Sequence, residues 1–168
     1  MQKLSELISH ILQTHHVFTR ESLNRIQGII NSPAMQGQVV SADIRQCIEA
    51  LEEDLLPHLM KEEQILFPYI VKLEGNPRQN YAPDFGSIAN PIRVMGNEHK
   101  SVIKLLVRLR ELTSDYQIVT EDQSGLSPLF SILGELDRDL VTHIQLESID
   151  LFPKARELEI LAMTSGRS

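Results

Sequence analysis

The sequence predicts an all-α protein folded as an antiparallel up-down four-helix bundle, and three observations support this class. Apolar residues recur every three or four positions in four long segments, as expected for helices with one buried face. Pro, Gly, Asn and Ser residues separate these segments. A short motif also occurs twice, which indicates two similar helical hairpins within one domain spanning residues 1–168.

The first two helices are predicted at residues 3–30 and 42–73. The turn-forming run at 31–33 ends the first helix, and Ser41 is the expected N-cap of the second. Pro57 lies inside the second helix, and because proline removes a backbone hydrogen bond, we expect a kink or a local bulge there. The face of this helix expected to be buried carries Leu51, Leu55, His58, Glu62, Ile65 and Tyr69.

A loop is predicted over residues 74–90, where Gly, Pro and Asn are frequent. The third helix should follow to about Thr113, with Asn90 as N-cap and proline at its first position. A polar stretch at 114–124 leads to the fourth helix, for which Ser127 followed by proline repeats the same start signal.

The repeated motif reads H-x3-E-x3-L-F-P and begins at His58 and at His143. Residues four apart lie on one face of a helix, one turn from each other, so each copy directs an imidazole and a carboxylate to the same point. A further histidine precedes each copy at a similar distance, His16 before the first and His99 before the second. Each hairpin therefore supplies two histidines and one glutamate to the interior.

Polar side chains at these positions interrupt apolar faces, and burying them is costly unless they are paired or bind a metal. Four imidazoles and two carboxylates suit first-row metals such as iron, manganese or zinc, and two carboxylates on facing helices can bridge two ions. The sequence thus predicts a central dinuclear metal site with coordination positions left for a small ligand. The candidate metal ligands are His16, His58, Glu62, His99, His143 and Glu147.

Neighbours of these ligands need a separate assignment. His15 precedes His16 and is rotated from it by about 100° around the helix. We prefer His16 as the metal ligand because it continues the apolar face. Glu63 and Glu98 also adjoin candidate ligands, and we expect them to be solvated surface carboxylates, with hydrogen-bonding support of the ligands as the alternative.

Composition argues against several other classes. The net charge of −7 disfavours a nucleic-acid binder. Cys47 is the only cysteine, so one chain can form neither a disulfide nor a cysteine-based metal site, which suits a reducing cytoplasm. We expect no membrane segment, since no stretch approaches the roughly 18 apolar residues that a span requires. Nucleotide-binding glycine motifs and hydrolase serine motifs do not occur.

These motifs together resemble the hemerythrin-like (HHE cation-binding) domain family, and within it most closely the di-iron proteins of iron–sulfur cluster repair. The resemblance implies a non-haem centre with two iron ions, an oxo bridge, terminal histidines and bridging glutamates. Position by position, it implies His16 and His58 on one iron, His99 and His143 on the other, and Glu62 and Glu147 on both. The matching segments are His16 with Arg20 and Leu23, residues 58–68, Val94-Met95 with Glu98-His99, and residues 143–147 with 151–153.

The function implied is binding of, or reaction with, O2, NO or peroxide in stress response or iron–sulfur cluster repair, with a redox or Fe–S client protein as partner. The chain departs from the oxygen carriers of the family at Ile103, where they have a histidine. It departs from the repair proteins in having no histidine between His16 and His58, and we expect no N-terminal cysteine-bearing domain of the kind that they often carry. Simple O2 storage is therefore less expected. An iron or oxygen sensor or iron donor acting through a partner, and a metal-free or zinc-stabilised structural bundle, are the alternatives.

Overall fold

The computed structural model describes residues 3–35, 37–76 and 83–165, and within them the chain forms four long helices and no strand. This confirms the predicted all-α class. Two short 3-10 helices, Pro33–Met35 and Glu121–Leu126, lie in the connections. The long helices are α1 (residues 4–30), α2 (residues 42–75), α3 (Ala89–Thr113) and α4 (residues 127–165).

Neighbouring helices are antiparallel, as the contacts between their ends show. At the start of α1, the Leu4 N–H donates to Glu74 at the end of α2, whereas Gln27 near the end of α1 reaches Glu52 further back in α2. The other neighbouring helices show the same reversal, which gives the predicted up-down-up-down bundle. The pairs are Asp43–Arg108 and Asp54–Ser101 between α2 and α3, Arg110–Asp137 between α3 and α4, and Glu159 of α4 with Ile88, the residue directly before α3.

Three of the four helices contain a π-helical segment: Ile11–His16 in α1, Glu62–Leu66 in α2 and Leu146–Leu151 in α4. A π turn accommodates one extra residue and rotates the following face. The prediction that Ile65 is buried is therefore wrong: Ile65 is 49% exposed, and Leu66 is 1% exposed in its place.

The repeated Leu-Phe-Pro sequence accounts for two of these π turns. Pro68 and Pro153 lie just beyond the π segments, and neither can donate the backbone hydrogen bond that a regular α-helix requires. Pro57, where a kink or bulge was expected, lies within the regular α-helical segment Ala42–Lys61. The bulge of α2 is thus set by the second proline of that helix rather than the first.

Helix starts agree with the sequence to within two residues. The Ser41 side chain accepts a hydrogen bond from the Ile44 N–H at 3.3 Å, as an N-cap should. The other two predicted caps are wrong. α3 begins at Ala89, whose N–H donates to the Ser87 hydroxyl, and α4 begins at Ser127 directly after a 3-10 helix. Of the predicted loop at 74–90, residues 77–82 lie outside the described residues.

Two apolar clusters fill the bundle, one on each side of a central polar layer. One cluster joins the end of α1 to the start of α2, the end of α3 and the start of α4. The other joins the opposite ends of the same helices. Within the described ranges, no helix combines the length and apolar character that crossing a bilayer requires.

Candidate metal centre

The central polar layer contains all six side chains predicted as metal ligands. Each is at most 4% exposed. Their nitrogen and oxygen atoms form two overlapping groups, and within each group the candidate ligand atoms lie within 4.8 Å of one another. One group is His16, Glu62, His143 and Glu147, and the other is His58, Glu62, His99 and Glu147.

Both carboxylates belong to both groups and offer one oxygen to each. Glu62 Oε2 lies 3.4 Å from His16 Nε2, while its Oε1 lies 3.3 Å from His58 Nε2. Glu147 Oε1 lies 3.0 Å from His143 Nε2, while its Oε2 lies 3.1 Å from His99 Nε2. Two ligands bound about 2.1 Å from one ion at a right angle are about 3 Å apart, so these spacings fit shared metal ligands.

The histidines are not paired as the family resemblance implied. We expected His16 with His58 and His99 with His143, each pair from one hairpin. The structure instead groups His16 with His143 and His58 with His99. The physical reason is the closure of the bundle: α1 packs against α4 and α2 against α3 at this level, so each group takes one histidine from each hairpin.

Several atoms that face the centre lack a hydrogen-bond partner. Both oxygens of Glu62, Oε2 of Glu147 and Nε2 of His16 are buried without one. An uncompensated buried carboxylate is costly, and a bound cation removes that cost. The donor set and its unpaired atoms therefore fit a metal cation.

The pKa values in the central polar layer also indicate a site that favours positive charge. Burial opposes protonation of His58, but Glu62 and Glu98 outweigh it and raise the pKa of His58 to about 9. Burial likewise disfavours ionised Glu147, yet His143 and His99 lower its pKa well below the usual range. The carboxylates around His58 thus favour its protonated form, and a metal cation would compete with that proton.

Glu63 and Glu98 are only partly exposed, at 30% and 25% of their side chains, and both hydrogen-bond to candidate ligands instead of facing only solvent as expected. The His16 Nδ1–H donates to Glu63 at 2.8 Å, and the His58 Nδ1–H donates to Glu98 at 2.8 Å. Each hydrogen bond directs the other ring nitrogen towards the centre and makes it a better ligand. The sequence analysis missed this orienting role because it assigned both side chains to solvent. The available signal was helical geometry, since a residue next to a ligand in sequence is rotated by about 100° and can face the adjacent helix.

The protein also provides a cation for each of these outer carboxylates. Arg20 pairs with Glu63, and Lys61 pairs with Glu98. These contacts and the hydrogen bonds from the histidines outweigh the effect of burial and lower the pKa of both carboxyl groups. Glu63 and Glu98 therefore stay ionised at neutral pH.

The second motif copy orients its histidines less strongly. Ser148 follows Glu147 as Glu63 follows Glu62, but its hydroxyl lies 3.4 Å from His99 Nδ1, at the limit of a hydrogen bond. Buried His143 Nδ1 has no hydrogen-bond partner. Each group therefore combines one histidine oriented by an outer carboxylate, His16 or His58, with one that is not, His143 or His99.

His15 lies beside the centre rather than in it. Its Nδ1 is 2.9 Å from Asp139 Oδ1, and its ring stacks on the His143 ring with 5.5 Å between centroids. Burial lowers the pKa of His15 more than Asp139 raises it. The structure thus places His16, not His15, among the six converging side chains. Ile103, the position at which oxygen carriers have a histidine, is 43% exposed.

A four-helix bundle with imidazoles and carboxylates converging from facing helices defines the class of helical-bundle metal proteins. The chain belongs to the Hemerythrin HHE cation binding domain family, whose model matches residues 7–158. This confirms the family resemblance read from the motifs.

Among curated relatives, the chain is 31% identical over 159 residues to the iron-sulfur cluster repair protein YtfE of Cronobacter sakazakii and to that of Escherichia coli O157:H7. Each match covers 90% of this chain and 66% of the relative, so the chain spans just under two thirds of those proteins. It is also 29% identical over 148 residues to the iron-sulfur cluster repair protein DnrN of Neisseria gonorrhoeae, covering 88% of both chains.

Proposed function

We propose that this protein is a non-haem di-iron protein that binds or reacts with O2, NO or peroxide and serves iron–sulfur cluster repair under nitrosative or oxidative stress. The observation that carries the proposal is the pair of overlapping ligand groups sharing Glu62 and Glu147. The names of the relatives, all iron–sulfur cluster repair proteins, support the repair role. A cytoplasmic location and a redox or Fe–S client partner are part of the same proposal.

Charge supports the presence of two cations. Glu63 and Glu98 are balanced by Arg20 and Lys61. By contrast, no Lys or Arg among the described residues pairs with the two inner glutamates, Glu62 and Glu147. Two buried carboxylates without a Lys or Arg partner form a negatively charged site that favours metal cations, and each carboxylate has one oxygen for each ligand group.

The donor set supports iron with open coordination positions. Each group offers two imidazoles and one oxygen from each of two carboxylates, a mixture that iron accepts readily. Four protein ligands leave iron one or two positions for an oxo bridge and a small ligand. Bound iron would supply redox chemistry towards diatomic ligands or peroxide.

The protein's own residues have distinct tasks in this proposal. The four histidines would be terminal ligands, and the two inner glutamates would hold the ions together. Glu63 and Glu98 keep the proton on Nδ1 of their histidines, so that Nε2 stays free for metal. The surrounding apolar clusters keep the ligands in place, because each packed side chain restricts the rotation of its neighbours.

The test is the metal content and absorption spectrum of protein purified without added metal. We expect about two irons per chain and near-ultraviolet bands of an oxo-bridged pair. Glu62→Ala and Glu147→Ala should each lose the bands and most of the iron, while Glu111→Ala, an exposed change on α3, should keep both. Wild-type protein with one zinc or no metal, or unchanged iron in both inner variants, would overturn the di-iron proposal.

The repair role has its own test, because a di-iron protein need not repair clusters. Iron-loaded protein should restore activity to an iron–sulfur enzyme inactivated with NO, and Glu147→Ala should not. A normal iron centre without such recovery would reject repair and leave the metal centre in place.

A further inference from the structure

A second concave site lies beside the metal centre. It is a cavity of about 880 Å³ between the second half of α2 and the start of α3, bordered by residues 83–85. Among the described residues that line it, none belongs to the six converging ligands. Pockets for small organic molecules typically measure 300–1,000 Å³, so the cavity has the size of a small-molecule site.

The cavity wall offers apolar and aromatic surface. Ile65 and Val94 line it and are 49% and 39% exposed, so both offer apolar surface to a ligand. Phe85 also lines it and packs edge-on against Tyr69, with 5.0 Å between ring centroids. The π turn of α2 contributes directly, because it rotates Ile65 out of the core and into this wall.

Positive charge surrounds this apolar surface, although the chain as a whole carries a net charge of −7. Lys61, Lys72 and Arg93 line the cavity, and Asp84 is the one acidic residue among the described residues of its lining. Lys61 is paired with Glu98, whereas Lys72 and Arg93 form no ion pair within the described part of the chain. An apolar cavity with unpaired cations complements a ligand that is apolar and anionic.

We propose that this cavity binds a small organic anion with an aromatic or aliphatic body and a carboxylate, phosphate or sulfonate group. Its apolar body would contact Ile65, Val94 and Phe85, and its anionic group would lie near Lys72 and Arg93. Binding at this site does not depend on the proposed iron chemistry, since no candidate metal ligand lines the cavity.

The location gives such a ligand a direct connection to the metal centre. Lys61 belongs to the cavity wall and pairs with Glu98, which in turn accepts the Nδ1–H of His58. Met95, also in the lining, lies one helical turn before His99. The cavity wall at Lys61 is therefore one ion pair and one hydrogen bond from a candidate ligand.

The first test is a fluorescence titration of the folded full chain with 8-anilinonaphthalene-1-sulfonate, an aromatic anion. We expect one saturable site, weakened at least about tenfold, or about 1.4 kcal/mol, by the double variant Lys72→Glu/Arg93→Glu. The matched control Arg25→Glu/Lys104→Glu changes two exposed cations outside the cavity and gives the same net charge. No saturable binding, or equal weakening by both double variants, would overturn the proposal.

A second pair of variants tests the apolar contribution. Ile65→Asp should weaken the same titration, whereas Val107→Asp, at a comparably exposed position of α3 outside the cavity, should not. Flavin mononucleotide and decanoate should each displace the probe, which tests an aromatic and an aliphatic body separately, and inorganic phosphate alone should not. Displacement by phosphate alone, or equal loss in both aspartate variants, would refute the amphipathic ligand class. Circular dichroism should show the same helix content throughout.

Discussion

The outer carboxylates allow a prediction that separates the two halves of the proposed metal centre. Glu98→Gln should weaken metal binding to the group containing His58 and His99, while the group containing His16 and His143 should change little. Glu98 donates no ligand atom to either group. Its effect would act through the hydrogen bond that it accepts from His58 Nδ1.

The expected magnitude follows from that contact. The hydrogen bond is 2.8 Å long, and Glu98 is 25% exposed at its side chain, so solvent screens only part of its charge. Removing such an outer carboxylate typically lowers metal affinity 10- to 100-fold, about 1.4–2.7 kcal/mol. Because glutamine keeps an acceptor oxygen and removes only the charge, we expect the lower end, about tenfold.

The assay is an anaerobic titration of metal-free protein with Fe²⁺ in competition with a coloured chelator, which resolves two binding steps. Glu63→Gln should weaken the opposite group, because Glu63 contacts His16. Ser148→Ala should have less than about a threefold effect, since its 3.4 Å contact to His99 is at the limit of hydrogen bonding.

The control is Glu111→Gln, which removes the same charge from α3 at a side chain that is 61% exposed. Equal affinities for Glu98→Gln and Glu111→Gln would show that the hydrogen bond to His58 does not tune the centre. A loss in Ser148→Ala as large as in Glu98→Gln would refute the inference that Glu98 orients His58 more strongly than Ser148 orients His99.

Three further predictions concern the bundle. Leu66→Ala should lower the free energy of unfolding by about 2–5 kcal/mol in chemical unfolding, since Leu66 is 1% exposed. Ile65→Ala should lower it by less than about 1 kcal/mol. The reverse order would contradict the π turn, which places Leu66 rather than Ile65 in the core. Tyr69→Phe should lower the free energy of unfolding by about 1.5–3 kcal/mol, because the Tyr69 hydroxyl donates a hydrogen bond to buried Glu159 at 2.9 Å. An unchanged midpoint of thermal unfolding would show that this hydrogen bond does not stabilise the fold. Partial burial would raise the pKa of Glu74, but hydrogen bonds from the Ser5 side chain and from the backbone N–H groups of Ser5 and Leu4 outweigh it and lower that pKa from its usual value of 4.5. The stabilisation by Glu74 is thus present above about pH 4.5 and is lost as pH falls through the lower folded pKa; Glu74→Gln should reduce this acid-dependent loss, measured by urea unfolding at several pH values, and an unchanged pH profile would argue against it.

Local sequence patterns were sufficient for the helices and for the identity of the converging side chains. Helical periodicity placed the four segments, and Ser41 capped the second helix where expected. The i,i+4 spacing placed each His–Glu pair on one face, because that relation is a property of the helix itself. Their role as metal ligands remains a prediction, which the titration and metal analysis would test.

Neighbouring residues were predicted less well, because their environment comes from other helices. Glu63 and Glu98 were assigned to solvent on the basis of their own helices, yet each reaches a histidine on an adjacent helix. Ile65 was assigned to the core from regular α-helical periodicity, which fails where a π turn adds a residue. The prolines after each Leu-Phe pair were the available signal for two of the three bulges.

The sequence by itself determined the helical class, the duplicated hairpin and the six polar residues of the interior, since all three follow from periodicity along one chain. Only the tertiary structure decided that His16 joins His143 and that His58 joins His99. It also decided that Glu63 and Glu98 orient two of these rings. The reason is physical: helical spacing determines which side chains share a face, but the packing of α1 against α4 and of α2 against α3 determines which faces meet.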